Sequence, residues 1–75
     1  MSDYAIEIFY SEEDQGYIAV VPDLEGCSAG GRTPQEALEE ILVAKDLWLE
    51  TARARGYPIP EARYRAPRAA EQSAG

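Results

Sequence analysis

The eighteen residues from Val21 to Leu38 leave the chain very few paths. Pro22 has no backbone N–H, so it ends the pairing of any strand that precedes it. Asp23 and Gly26 supply turn chemistry, and Cys27-Ser28-Ala29 then begin a short return strand. Gly30 and Gly31 release the chain toward a helix whose start is written plainly: Thr33 as N-cap, Pro34 at the first helical position, and Glu36 three residues after the cap as the second half of a capping box. A strand end, a turn, a strand and a capped helix packed this closely must be neighbours in space.

The flanking residues extend the pattern. Tyr4 to Tyr10 alternates with period two, placing Tyr4, Ile6, Ile8 and Tyr10 on one face, the expected core side, and Ala5, Glu7 and Phe9 on the other. Ser11 to Gly16 is polar and turn-forming, and Tyr17 to Val21 is rich in aromatic and β-branched residues, so the two segments form a hairpin. After the cap, Ala37, Leu38, Ile41, Leu42, Trp48, Leu49 and Ala52 recur at helical spacing, with Glu39, Glu40, Lys45, Asp46 and Glu50 largely opposite. Arg53 and Arg55 suit the negative end of the helix dipole, Gly56 suits the left-handed position after the last turn, and Pro58 blocks continuation. The helix is therefore expected from Pro34 to Arg55. Tyr57 to Pro60 is a proline-stiffened connector that crosses back over the domain, Ala62-Arg63-Tyr64-Arg65 is a candidate short fourth strand, and residues 66–75 have the composition of a flexible tail. The expected fold is α+β: a three-stranded antiparallel sheet and one long helix, in the order β-β-β-α with an optional final β, as a single domain over residues 1–65.

At 75 residues such a chain buries only about 60% of the surface its unfolded form exposes, which makes one small core marginal without a staple or a partner. Cys27 is the sole cysteine and there is no histidine, so an internal disulfide and a conventional zinc cluster are both excluded. Self-association, as a homodimer or a higher homo-oligomer, is the remaining route to stability. No signal peptide is visible and no apolar run approaches the roughly 18 residues a membrane span needs, so a cytoplasmic protein without membrane contact is expected. Charge is unevenly distributed: residues 1–50 hold twelve acids against Arg32 and Lys45, net −10, whereas residues 51–75 hold five arginines against Glu61 and Glu71, net +3. An acidic body of this kind repels phosphate backbones and attracts basic partners, although surplus charge also serves solubility alone.

Catalytic chemistry finds little to work with. A hairpin followed by a helix is part of the ribonuclease-H-like fold, whose metal site needs several converging carboxylates. Glu7 is the only acid inside the first strand and points away from the core face, Glu36 is occupied by the cap, and the other acids lie in loops or on the solvent side of the helix. Cys27 has no histidine to activate it and is expected to be a buried, inert thiol. Gly30 and Gly31 precede a helix without the G-x-G-x-x-G or P-loop pattern of a phosphate cradle. Trp48 and the five tyrosines lack the interleaved basic residues that single-stranded nucleic acid would require. No catalytic residue, metal or cofactor is expected.

Gly16-Tyr17, Val21-Pro22-Asp23-Leu24 with Gly26-Cys27, Gly31 and Thr33 with Glu36-Ala37-Leu38, and Pro58-Ile59-Pro60-Glu61, in that order, resemble the HicB-like family of antitoxins, over roughly Tyr4 to Pro60. Glu25, Arg32 and Gln35 depart from the family pattern at turn and cap positions. The resemblance implies a partial ribonuclease-H-like fold. It also implies a partner, a small basic HicA-type ribonuclease toxin that cleaves mRNA and carries a catalytic histidine, neutralised by covering its active surface. Many members add a C-terminal DNA-binding module that represses their operon. No such module follows here, so direct nucleic-acid binding is not expected. The alternative is a HicB-like interaction or regulatory module with a different partner. Glu12, Glu13, Asp14, Asp23 and Glu25, in the two loops at the strand ends, are the candidate partner-binding residues, against ordinary turn chemistry and solubility.

Overall fold

The computed structural model describes residues 3–64. Three strands, β1 (Glu7–Ser11), β2 (Gly16–Val20) and β3 (Ser28–Gly31), precede one helix, α1 (Pro34–Arg55). The sheet is antiparallel throughout, in the order β1-β2-β3. Glu7 lies opposite Val20 and Ser11 opposite Gly16 in the first pairing; Tyr17 lies opposite Gly31 and Val20 opposite Ser28 in the second.

Strand limits follow from available partners. Tyr4 to Ile6 has strand-like alternation, yet β2 ends at Val20 opposite Glu7, so nothing remains for the earlier residues to pair with. At the other end of the sheet the glycines do not simply release the chain. Both are paired in β3, and a Cβ on Gly31 would fall 2.6 Å from the backbone N of Ala37. Contact this close between β3 and the first turn of α1 is open only to a residue with no side chain.

Helix α1 has the expected bounds because both ends are set by local chemistry. Thr33 is extended (φ −129°, ψ 160°) and its Oγ1 accepts from the Glu36 N–H at 3.0 Å. The reciprocal arm reaches one residue further than a standard capping box: Glu36 Oε1 accepts from the N–H of Arg32, at 2.8 Å, rather than from that of the cap. Gly56 is left-handed (φ 73°), and the Tyr57 N–H donates to the Ala52 carbonyl at 2.8 Å, closing a Schellman turn.

The core comprises Ala19, Val21, Leu24, Cys27, Ala37 and Ile41, with Tyr4, Ile6, Tyr17, Ala29, Ala44, Trp48 and Leu49 packed against it. Alternation gives the face of β1 correctly but not its coverage. Ile8 and Tyr10 do lie on the helix side, opposite Ala19 and Tyr17, and the Tyr10 and Tyr17 rings meet edge to face at 5.3 Å. They are nevertheless exposed, at 36% and 54%, because a single helix about 10 Å wide sits mainly over β2 and β3. For the same reason Leu38 and Leu42 are outside the core.

The connector after the helix does cross back, and the Tyr4 hydroxyl donates to the Pro60 carbonyl. Ala62 to Tyr64 does not join the sheet as a strand. The Asp23 carboxylate accepts the backbone N–H groups of Arg63 (3.0 Å) and Tyr64 (3.0 Å), the donors that strand pairing would have used. Arg65 and the tail expected over residues 66–75 lie outside the described residues.

Candidate functional site

The segment from Val21 to Cys27 is built as two linked turns. The Leu24 N–H donates to the Val21 carbonyl at 3.0 Å, the Cys27 N–H to the Leu24 carbonyl at 3.0 Å, and the Val21 N–H to the Cys27 carbonyl at 3.1 Å. Gly26, at φ 78°, takes the left-handed position that the second turn demands. This geometry points Leu24 into the core with 1% of its surface exposed, a position no strand or helix period would identify. The Trp48 indole N–H donates to the Glu25 carbonyl at 2.9 Å, tying the turn to α1. Asp23 ties it to the C-terminal segment. Asp23, expected from the sequence as turn chemistry or a candidate partner contact, has its carboxylate engaged with a backbone forty residues away in sequence.

The five candidate residues do not form one patch. Glu12, Glu13 and Asp14 are in the β1–β2 turn, whereas Asp23 and Glu25 are in the β2–β3 turn, at the other end of a five-residue strand. Roughly 15 Å of strand separates the two groups. Asp14 is held within its own turn by the Ser11 hydroxyl at 2.9 Å, and the side chains of Glu12, Glu13 and Asp14 are exposed. At that same end α1 begins, bringing Glu36, together with Arg32, near Asp14.

Other ionisable groups are engaged within the fold. Glu7 accepts from the Tyr64 hydroxyl, which raises the Tyr64 pKa above its ordinary value through that hydrogen bond, with burial second. Asp3 pairs with Lys45 Nζ at 3.0 Å, and its pKa is lowered by that hydrogen bond and by one from the Tyr4 N–H. Burial raises the Cys27 thiol, so the residue is a protonated core side chain at neutral pH. Among the described residues no three acidic or thiol side chains are grouped to hold a metal ion. None of the described helices is long and apolar enough to cross a membrane.

Beside the singly exposed Phe9, Val43 and Ile59, two groupings of apolar side chains lie on the surface. One is an open groove of about 440 Å³ between β3 and the second half of α1, lined by Cys27, Ala44, Leu47, Trp48 and Tyr57 among others. The other is the set of exposed side chains Ile8, Tyr10, Leu38 and Leu42. A three-stranded sheet under one helix, with most of its carboxylates in turns and on the helix surface and its thiol buried, is the frame of a small α+β domain.

That frame has a known family. The model of the family described as HicB-like antitoxin of bacterial toxin–antitoxin systems matches residues 4–72, and the chain belongs to this family. It is similar to the UPF0150 protein ssl0259 of Synechocystis sp., 43% identical over 53 residues, covering 71% of this chain and 73% of the relative. It is also similar to the UPF0150 protein ssr1765 of the same organism, 40% identical over 50 residues, covering 67% of this chain and 63% of that relative. No solved structure matches the chain significantly.

Proposed function

We propose that this protein neutralises a small basic ribonuclease of the HicA type by binding it and covering its active surface, without catalytic activity of its own. The observation that carries the reading is the family match over residues 4–72, joined to a body whose first fifty residues have net charge −10. Complementary charge speeds encounter with a basic partner, and packed apolar contacts then hold the complex, so salt acts mainly on the association rate. The site of action is the cytoplasm, where mRNA is cleaved. Self-association accompanies this reading, since β1 and β3 are both free edges in the described sheet.

Co-expression with a HicA-type toxin is the direct test. Rescue of growth and isolation of a stable complex are expected. Persistent growth arrest in cells making this protein in excess, with no complex recovered, would overturn the reading. Sedimentation at high micromolar concentration tests self-association separately, and a stable monomer there would count against it alone.

A further inference from the structure

Helix α1 directs Ala37, Ile41 and Ala52 at the core, which leaves one of its flanks above β1 without a cover. Positions 38, 42, 45 and 49 share that flank, at helical spacings of three and four. Its direction is fixed by Lys45, whose Nζ reaches Asp3 just ahead of β1. On the sheet, Ile8 and Tyr10 occupy the helix-facing side of β1. Ile8, Tyr10, Leu38 and Leu42 therefore line a single seam between β1 and α1, each between 36% and 54% exposed. Isolated exposed apolar side chains are ordinary; four along one seam of so small a domain mark a contact surface.

The seam's border is acidic. Glu12, Glu13 and Asp14 continue directly from the end of β1, and Glu39 and Asp46 lie three residues before and four after Leu42 on the outward side of the helix. Lys45, the cation on this flank, is already paired with Asp3, and the other helix cations, Arg53 and Arg55, are at the far end. A second copy of the chain would bring the same carboxylates against this border. A basic protein would neutralise them. We propose that the β1–α1 seam is the face on which the basic toxin docks, with Ile8, Tyr10, Leu38 and Leu42 as its apolar centre and Glu12, Glu13, Asp14, Glu39 and Asp46 as its charged rim. Asp23 and Glu25, at the opposite end of β2, are outside it. This inference rests on the toxin-binding reading above.

The test uses the full chain and, as probe, a HicA-type toxin with its catalytic histidine replaced. Affinity is measured by titration calorimetry. The double variant Tyr10→Arg/Leu42→Arg is expected to weaken Kd about 30-fold or more, the scale of losing a central contact. Leu47→Arg, on the other flank of α1, is expected to stay within about threefold of the wild type. Glu12→Gln/Glu13→Gln/Asp14→Asn is expected to slow association several-fold at low salt and little at high salt. Circular dichroism checks folding, and Tyr10→Ser/Leu42→Ser replaces the arginine pair if that pair unfolds.

Absence of any binding by the wild-type chain would overturn both the seam and the function it rests on. Wild-type binding that the double variant retains in full would overturn the seam alone. A double variant that dissociates a homo-oligomer while keeping its toxin affinity would assign the seam to a second copy, and so would also overturn the proposal.

Discussion

Replacing Leu24 by alanine tests the claim that a turn residue anchors this core. The side chain is 1% exposed and is among the three largest that are fully buried, with Ile41 and Val21. Its truncation removes the transfer free energy of the lost methyl and methylene groups and leaves a void that the double turn, fixed by three backbone hydrogen bonds, cannot collapse to fill. Leu→Ala changes at such sites cost about 2–5 kcal/mol. A domain of this size has about 4–11 kcal/mol in total, so the loss is a large share of it. Leu42→Ala is the control, because the same atoms are removed from a side chain that is 40% exposed, and its cost should stay below about 1 kcal/mol. Urea unfolding of both variants, with equal m-values, gives the comparison directly. A cost for Leu24→Ala no greater than for Leu42→Ala would refute the assignment of Leu24 to the core.

Three further outcomes are expected. Thr33→Ala removes the acceptor of the Glu36 N–H and should lower stability by about 1 kcal/mol in the same urea assay, with Thr33→Ser close to the wild type. Asp23→Asn should weaken the hold on the Arg63 and Tyr64 N–H groups, seen as faster amide exchange at those two positions with little change in the helix; unchanged exchange there would count against the contact. Cys27 and Tyr64 both have raised pKa values in the folded chain, so the native state binds protons more tightly than the unfolded one in the alkaline range. Stability should therefore be fully present below their ordinary values of 9.0 and 10.0 and should fall as pH rises beyond them, and a Cys27→Ala/Tyr64→Phe variant should show a flatter alkaline limb.

What the sequence made legible is what depends on neighbours in the chain. Thr33, Pro34 and Glu36 begin α1, and Gly56 ends it, through bonds spanning at most five residues, so its limits could be read to the residue. The hairpin was legible from alternation and a polar turn. Coverage was not: period two says that Ile8 and Tyr10 face the helix side, but only the lateral placement of α1 decides that they stay in solvent. Leu24 was missed because a turn has no period to reveal which side chain points inward. The partners of Asp23, Glu7 and Tyr4 are 40, 57 and 56 residues away, and no local pattern announces contacts of that span. For the candidate surface, composition identified an acidic body and chain order put its two loops at opposite ends of β2, while the engagement of Asp23 by Arg63 and Tyr64 required the tertiary fold.

Those three long-span contacts make the described chain almost a closed ring. Residues 60–64 return to the first strand and the segment before it, so the two extremities of the domain support each other rather than fraying independently. Damage at one is transmitted to the other: cutting the chain after Gly56 would strip the hydroxyl partner from Glu7 and the carbonyl partner from Tyr4, loosening an N-terminal strand that the cut never touched. The same closeness makes the ends the natural place to join the chain to itself, with the exposed turn at Glu12–Gln15 as the place to open it.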